Sequence, residues 1–427
     1  MMRRHDLTSA QFDALAGGYG GADTVRALSR AQLSKHLLLI KFIAEVWNGD
    51  RGHRDAAVDV LTQAQAASPD KIAELLADPL VGAWAAHATR RLRGGRLGAV
   101  PLPAECNHLS AIAAAAAALA GIDARLVLHA AEDGVTLPRL GRALPPAPAF
   151  RPVTAVIRDG QVSIDGATGW QVPRTLTATA GGRSIRVTLD DLDPYRGGHH
   201  APAAARLDEA ELAPWRDTFA AGWALVARYA PQRADELAAG LRTLVPLAEL
   251  DDHSARSATI RDAFGAFGLT RPGTATGLAV TLVHEFQHSK LSGVLDVQPL
   301  FDSASTELHF APWRTDPRPV GGLLQGVYAF LGIADLWSRL RAAPALADRA
   351  EQEFAVAREQ VRWGLAGLDG SAALNPAGRR FTAGIRAAFD AMAADRLPAG
   401  LVEHATGALR ETHADWQRRN AVLPLGG

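Results

Sequence analysis

Thr276 to His288 is the stretch that most limits how this chain can fold. Eight largely apolar residues without proline lead into His284-Glu285-Phe286-Gln287-His288. Such a run reads as a buried helix, and on a helix residues four apart share one face. Both imidazoles can then reach a single metal ion. With 14 histidines in 427 residues, the pattern arises by chance in roughly two chains per hundred of this make-up. It reads as a metal site. No Asn, Ser or Asp stands ahead of the run as a sharp cap, so Pro272-Gly273-Thr274 is taken as the helix start.

The rest of the composition narrows the chemistry. The 45 basic and 45 acidic residues balance, which gives no pointer to nucleic acid or to an anionic membrane. Cys106 is the one cysteine; an intrachain disulfide is excluded and a reducing cytoplasm fits. Any metal must be held by His, carboxylate or amide ligands, not by a zinc-finger thiolate set. Cys106 with nearby His108 offers a nucleophile, but beside an alanine-rich helix it reads as a small core residue. No apolar signal core follows the N-terminus, and the apolar stretches His36–Trp47 and Ala111–Ala120 are interrupted or too short to span a bilayer.

The expected fold class is α+β, predominantly helical, with a zincin-like metal-binding core and short strands. Four segments are expected: 1–98 helical, 99–205 α+β with short strands, 206–340 the metal-binding catalytic core, most concentrated at about 247–340, and 341–427 helical support. Leu28, Leu33, Leu37, Leu38, Ile40, Ile43 and Val46 recur at helical spacing. A helix over Leu109–Ala120 is expected to stop at Gly121. Strands are expected at Arg125–Leu128, Val153–Ile157, Val162–Ile164 and Ser184–Leu189, with Asp159-Gly160 as a hairpin turn. Leu192 to His200 reads as a loop whose His199-His200 pair is solvent-exposed. Helices resume over Leu207–Arg242. The β-branched, aromatic and glycine alternation of Ser257–Leu269 predicts a strand or loop passing close to another backbone. Thr306–Phe310 reads as a strand, Pro312–Pro319 as an extended loop, and Gly321–Leu340 as a helix.

Two histidines leave the chemistry open. A zinc peptidase needs a third protein ligand, an open position for water, and Glu285 as general base. Downstream, Asp296, Asp302, Glu307, His309, Gln325 and Asp335 are available as third ligand. A non-haem Fe(II) oxygenase needs three ligands on one face and a cationic clamp for the far carboxylate of a 2-oxo acid, for which Arg is the best bidentate partner. Arg314 and Arg318, set among prolines, offer that clamp; the competing reading pairs them with Asp316 as a cap on the next helix.

Four phrases carry a resemblance: Arg261-Asp262-Ala263-Phe264-Gly265-Ala266, His284 to Leu291, Ala311 to Pro319, and Gly322 to Phe330. Together they resemble the HExxH-motif peptide-modification proteins, 2-oxoglutarate-dependent β-hydroxylases of ribosomally made peptides. Weaker matches extend the resemblance over nearly the whole chain, at Leu15-Ala16-Gly17-Gly18, Ser34 to Leu39, Leu137 to Arg142 and Asp191 to Arg196. The resemblance implies Fe(II) with 2-oxoglutarate as cosubstrate, zinc being the alternative, and a precursor peptide as partner. It implies His284 and His288 as metal ligands; for the third, Gln325 is the first choice because it lies in a motif phrase on the next helix, with His309 or Glu307 next. Arg314 and Arg318 would bind 2-oxoglutarate, and Glu285 would orient substrate. Trp313 is expected beside the cosubstrate or in the core, and Lys290 on a solvated face.

Overall fold

The structure, a computed structural model, describes residues 5–95, 100–144, 149–198, 202–249 and 255–420. Six helices come first: α1 (Ser9–Ala16), α2 (Gly21–Val46), α3 (Arg51–Ala67), α4 (Pro69–Leu76), α5 (Pro79–Leu92) and α6 (Leu102–Ala120). Eight strands follow: β1 (Ala124–His129), β2 (Val135–Leu137), β3 (Gly141–Leu144), β4 (Pro152–Arg158), β5 (Gln161–Ile164), β6 (Gly169–Gln171), β7 (Arg174–Ala180) and β8 (Arg183–Leu189). Next are α7 (Glu209–Tyr229), α8 (Pro231–Gly240), β9 (Thr243–Pro246), β10 (Ser257–Thr259) and β11 (Ala266–Leu269). The chain then forms α9 (Ala275–Val297), β12 (Leu308–His309), β13 (Arg318–Pro319), α10 (Val320–Leu340), α11 (Ala347–Asp369), α12 (Pro376–Ala393) and α13 (Ala399–Asn420). The fold is mixed α+β and predominantly helical, as the sequence leads one to expect.

Local chemistry explains the boundaries. α6 starts earlier than its alanine run and takes in Cys106; it ends where Gly121 turns to φ +71°, a left-handed cap that glycine adopts without strain. Asp159 and Gly160, both at positive φ, join β4 to β5 as expected of a two-residue hairpin. β2, β3 and β6, three or four residues each, were not legible, and β7 was passed over although Thr175, Thr177 and Thr179 alternate along it. The His199-His200 pair lies outside the described residues.

Two hydrophobic cores cut across the four sequence segments. The larger one gathers α1, the first half of α2, β7, β8 and most of the chain from α7 to α12; the second gathers the rest of α2 with α3–α6 and β1–β5. The divide runs through a single helix, with Val25 and Leu28 in one core and Ile40 and Ile43 in the other. It passes again between β6 and β7, because β7 and β8 join the five-stranded sheet β10-β11-β9-β8-β7. That sheet is parallel in its middle and antiparallel at both edges. Gly265, at φ +80°, lets the start of β11 pass the end of α8; a Cβ there would lie 2.3 Å from the Gly240 carbonyl oxygen. This is the close backbone approach expected of Ser257–Leu269. By length and composition α10 could cross a membrane, but most of it is packed inside the larger core.

Candidate metal centre

The helix that carries both imidazoles begins at Thr274, whose Oγ1 accepts from the Gly277 N–H at 3.0 Å. Threonine thus supplies the cap that the sequence seemed to lack, worth about 1 kcal/mol. Ten residues into α9, His284 and His288 project from one face with their Nε2 atoms 3.1 Å apart. Two nitrogens bound to one ion at about 2.1 Å stand about 3.0 Å apart at a right angle and about 3.4 Å apart in a tetrahedron. The spacing therefore suits a shared metal. Burial pulls the His284 imidazole down to about 3, with His288 adding to the effect. It is held neutral, the form that ligates metals.

Gln325, the first choice as third ligand, stands elsewhere. Its Oε1 accepts from His288 Nδ1 at 3.0 Å, while its Nε2 donates to Ser292 Oγ at 3.3 Å. Nδ1 lies on the far side of the ring from the Nε2 pair, so Gln325 orients His288 and fixes its tautomer. The amide is short enough to reach that nitrogen from α10 and is used up there. His309 and Glu307 sit side by side at 3.5 Å, with Glu307 accepting from Ser371. Asp296 is taken up by Lys35, Gln32 and Arg261, and Asp335 by Arg233, Arg339 and Tyr19. Asp302 accepts from the Ala304 N–H in a tight turn. Among the described residues no third His, Cys, Asp or Glu joins the pair in a metal-sized cluster.

Glu285 is buried and anchored at both carboxylate oxygens. Ser257 Oγ donates to Oε1 and Thr259 Oγ1 to Oε2, each at 2.6 Å. Its Oε1 lies 3.8 Å from His284 Nε2, next to the metal position. Ser257 and Thr259 were missed as site residues; their alternate spacing on a strand was the available signal.

An aromatic wall closes one side. Phe330 meets His284 edge-on at 5.6 Å, and Trp313 stacks on Phe330 at 4.6 Å and 16°. Trp313 fits because Gly326 and Gly364 leave room: a Cβ on Gly326 would come within 2.0 Å of the indole. Of the two expectations for Trp313 the structure shows the packing: the indole is half-buried against the larger core. The neighbouring arginines bind the same carboxylate, Arg314 through Asp316 Oδ1 at 2.9 Å and Arg318 through Oδ2 at 3.1 Å. This is the pairing weighed against the clamp, but without the helix cap: α10 follows Pro319 with no side-chain cap. The pairing holds Asp316 below the usual carboxylate range, through its hydrogen bond from Arg314 first.

The opposite face of α9 is ionic and closed. Lys290, expected on a solvated face, is fully buried: its Nζ donates to Glu236 Oε2 at 2.6 Å and to the Gly18 carbonyl at 3.1 Å. Arg233 donates to the same carbonyl at 2.6 Å, to Gln287 at 3.1 Å and to Asp335 at 3.0 Å. Glu236 accepts in addition from the Gly20 and Gly21 N–H groups. Burial would raise its carboxyl, but Lys290 and Arg233 outweigh that and hold it below its ordinary value. The correction for Lys290 has a plain cause: Glu236 and Gly18 are distant in sequence, so nothing beside Lys290 announced its partners.

Elsewhere the sequence phrases resolve into structure. Arg261 bonds Asp296, while Asp262 binds Lys35 and Arg90, fastening α2 and α5 to the sheet. Ser34 to Leu39 borders a groove of about 890 Å³ at the C-terminal end of α9. Cys106 is buried and burial pushes its thiol up to about 12, which suits a small core residue and not a nucleophile, while burial pulls His108 down to about 3. No protein-family model matches the chain, and no curated protein matches it.

Proposed function

We propose that this chain is an Fe(II)- and 2-oxoglutarate-dependent enzyme that β-hydroxylates a side chain of a ribosomally synthesised precursor peptide, from a zincin-like core. The observation that carries the reading is the pairing of two convergent Nε2 atoms with a neighbouring carboxylate tied down at both oxygens. A general base must offer a lone pair to water and then carry the proton away. Glu285, gripped by two hydroxyls of one strand, suits a fixed orienting role instead. The resemblance of the four sequence phrases to the HExxH-motif peptide-modification proteins supports the same reading.

On this reading His284 and His288 hold the metal, and Gln325 holds His288. Fe(II) with 2-oxoglutarate, when bound, supplies the dioxygen chemistry that oxidises a C–H bond. The chain does the rest. Glu285 orients the substrate, Phe330 and Trp313 keep water from one side, and Arg314 and Arg318 exchange their shared partner Asp316 for the far carboxylate of 2-oxoglutarate. A reducing cytoplasm is part of the proposal, since a single buried cysteine needs no oxidising compartment.

A second reading, zinc peptidase, draws on one distance: Glu285 Oε1 stands 3.8 Å from His284 Nε2, where a base would meet a metal-bound water. One experiment separates the two. The protein, purified without oxygen, is loaded with Fe(II) and then given 2-oxoglutarate. A visible charge-transfer band that fades when oxygen and a peptide are added, with a gain of one oxygen in the peptide, supports hydroxylation. No band, with tight zinc binding and cleavage of an unstructured peptide, supports the peptidase. Metal-dependent peptide binding with no turnover under either condition would leave a non-catalytic peptide-binding protein.

A further inference from the structure

We infer that a second site, set in the second core and apart from the two imidazoles of α9, takes the neutral carboxamide head of an Asn or Gln side chain carried by a peptide. The inference rests on the proposed function only in taking a peptide as ligand. The site is a cavity walled by one face of α6, the ends of β1 and β2, and the loop after β8. Ala104, Asn107, His108 and Ala111, three and four residues apart, give the α6 face. His129 ends β1, and Tyr195 comes across from the loop with its ring 4.9 Å from that of His108. Among the described residues, four polar groups of this wall have no hydrogen-bond partner. Asn107 is only 1% exposed; its Nδ2 donates to the Val127 carbonyl at 3.2 Å and to Ser110 Oγ at 3.3 Å, but its Oδ1 accepts nothing. His129 Nδ1 is likewise buried without a partner. The His108 ring, held between Trp84 and Tyr195, and the Tyr195 hydroxyl complete the set. Buried polar groups are nearly always paired, and leaving one unpaired costs more than a made bond returns.

Burial keeps these groups neutral. It pulls His108 down to about 3 and lowers His129, and it raises the Tyr195 hydroxyl, with Glu105 next in effect. A charged head would enter such a wall without a counter-charge, whereas a carboxamide brings one acceptor, two donors and no charge. Its N–H groups suit Asn107 Oδ1 and a ring nitrogen, and its oxygen suits the Tyr195 hydroxyl. Size agrees. The cavity measures about 40 Å³. One water takes about 10–15 Å³ of such space, so about three or four non-hydrogen atoms fit, as in a CH2–CO–NH2 head. Phe150 lines the same cavity at φ +60°, a region that bulky residues rarely adopt, and is fixed there by donating its N–H to the Ala130 carbonyl at 2.6 Å. Strain of this kind collects at ligand clamps. Tyr195 also packs against the cluster of Ala83, Ala263 and Ala266, which ties the cavity to the sheet bearing the anchors of Glu285.

The test uses the full-length protein without iron or 2-oxoglutarate, so that it stands or falls apart from the hydroxylase reading. Ring resonances of isotope-labelled histidines are followed by NMR while acetamide, acetate or acetone is added. Blocked glycine pentapeptides with Asn, Gln or Asp at the centre are then added in turn. Acetamide and the Asn or Gln peptide should shift the His108 signals to saturation. Acetate, acetone and the Asp peptide, each lacking the amide N–H groups, should bind about tenfold more weakly or worse. Tyr195→Phe, which removes only the hydroxyl, should weaken acetamide binding about tenfold. Ala104→Leu, which fills the cavity, should abolish that binding while metal binding by His284 and His288 is retained. No saturable shift at His108, a shift of equal strength with acetate or acetone, or acetamide binding with neither amide peptide would overturn the inference. If Ala104→Leu does not fold, Tyr195→Phe and the ligand series on the unaltered protein decide.

Discussion

The two faces of α9 are built on opposite rules. Behind the helix, Lys290, Gln287, Arg233, Glu236 and Asp335 of three helices pair with one another and with the Gly18 carbonyl, and the Arg233 guanidinium lies over the Tyr19 ring at 3.9 Å. In front, His284, Glu285 and His288 are each held from one side only: Gln325 takes His288 Nδ1, β10 takes the Glu285 oxygens, and the Nε2 atoms face each other. The back face is held by the chain's own charged and amide groups. The front leaves two imidazole nitrogens converging at 3.1 Å, a spacing that suits a shared metal.

That contrast can be broken in steps. The largest effect is expected from His284→Ala or His288→Ala: each should abolish stoichiometric metal binding, measured by elemental analysis, while leaving thermal stability without metal nearly unchanged. Retained metal in either variant would remove the front face from consideration as a site. Glu236→Ala should do the reverse. It strands the Lys290 ammonium in the core and should cost about 3–5 kcal/mol in denaturant unfolding, with metal binding per folded molecule retained. Gln325→Leu should lower metal affinity about 10–100-fold, the usual cost of losing a partner of the ligand's other nitrogen, as read by chelator competition. Arg314→Ala or Arg318→Ala should weaken 2-oxoglutarate binding about tenfold, one charge-assisted bond, without changing metal content; unchanged affinity in both would end the clamp assignment.

Acid should also separate the faces. Unfolded imidazoles titrate near 6.5, whereas His284 is held neutral down to about 3 by burial. Between those values the unfolded chain binds protons that the folded site refuses, so stability falls as pH drops from about 6.5 toward 3. His36 and His108, pulled down to about 4 and about 3, act in the same direction. Glu236 and Asp335, held below the ordinary carboxylate range, keep their contribution until pH falls past that range. Metal release, followed by fluorescence of a competing chelator, should therefore precede the loss of helical signal on acidification. Coincident transitions would mean that the faces fail together.

How much of this could be read from residues alone depended on distance along the chain. The imidazole pair was legible because four residues of one helix define it. The hairpin at Asp159-Gly160 and the close approach at Gly265 were legible because turn chemistry is local. Gln325 was noticed for the right reason, its place on the next helix, but its role depended on which ring nitrogen it met, and spacing does not encode that. The partner of Lys290 lies 54 positions away and the anchors of Glu285 lie 26 and 28 away. The boundary between the cores was hidden for a different reason: α2 is one uninterrupted helix, and nothing in its periodicity marks where it leaves one core for the other.

The Gly18 carbonyl sets the order in which this protein can be completed. It joins Lys290 across 272 positions, so the helix bearing the imidazoles cannot close its rear until a segment synthesised long before it has been kept within reach. Loop-closure entropy grows only slowly with such a span, but the search for a contact this remote slows assembly. Attempts to trim the protein to a minimal metal-binding fragment by deleting residues up to Gly21 should accordingly yield a chain with two buried cations lacking a shared acceptor, one that collects in aggregates instead of folding.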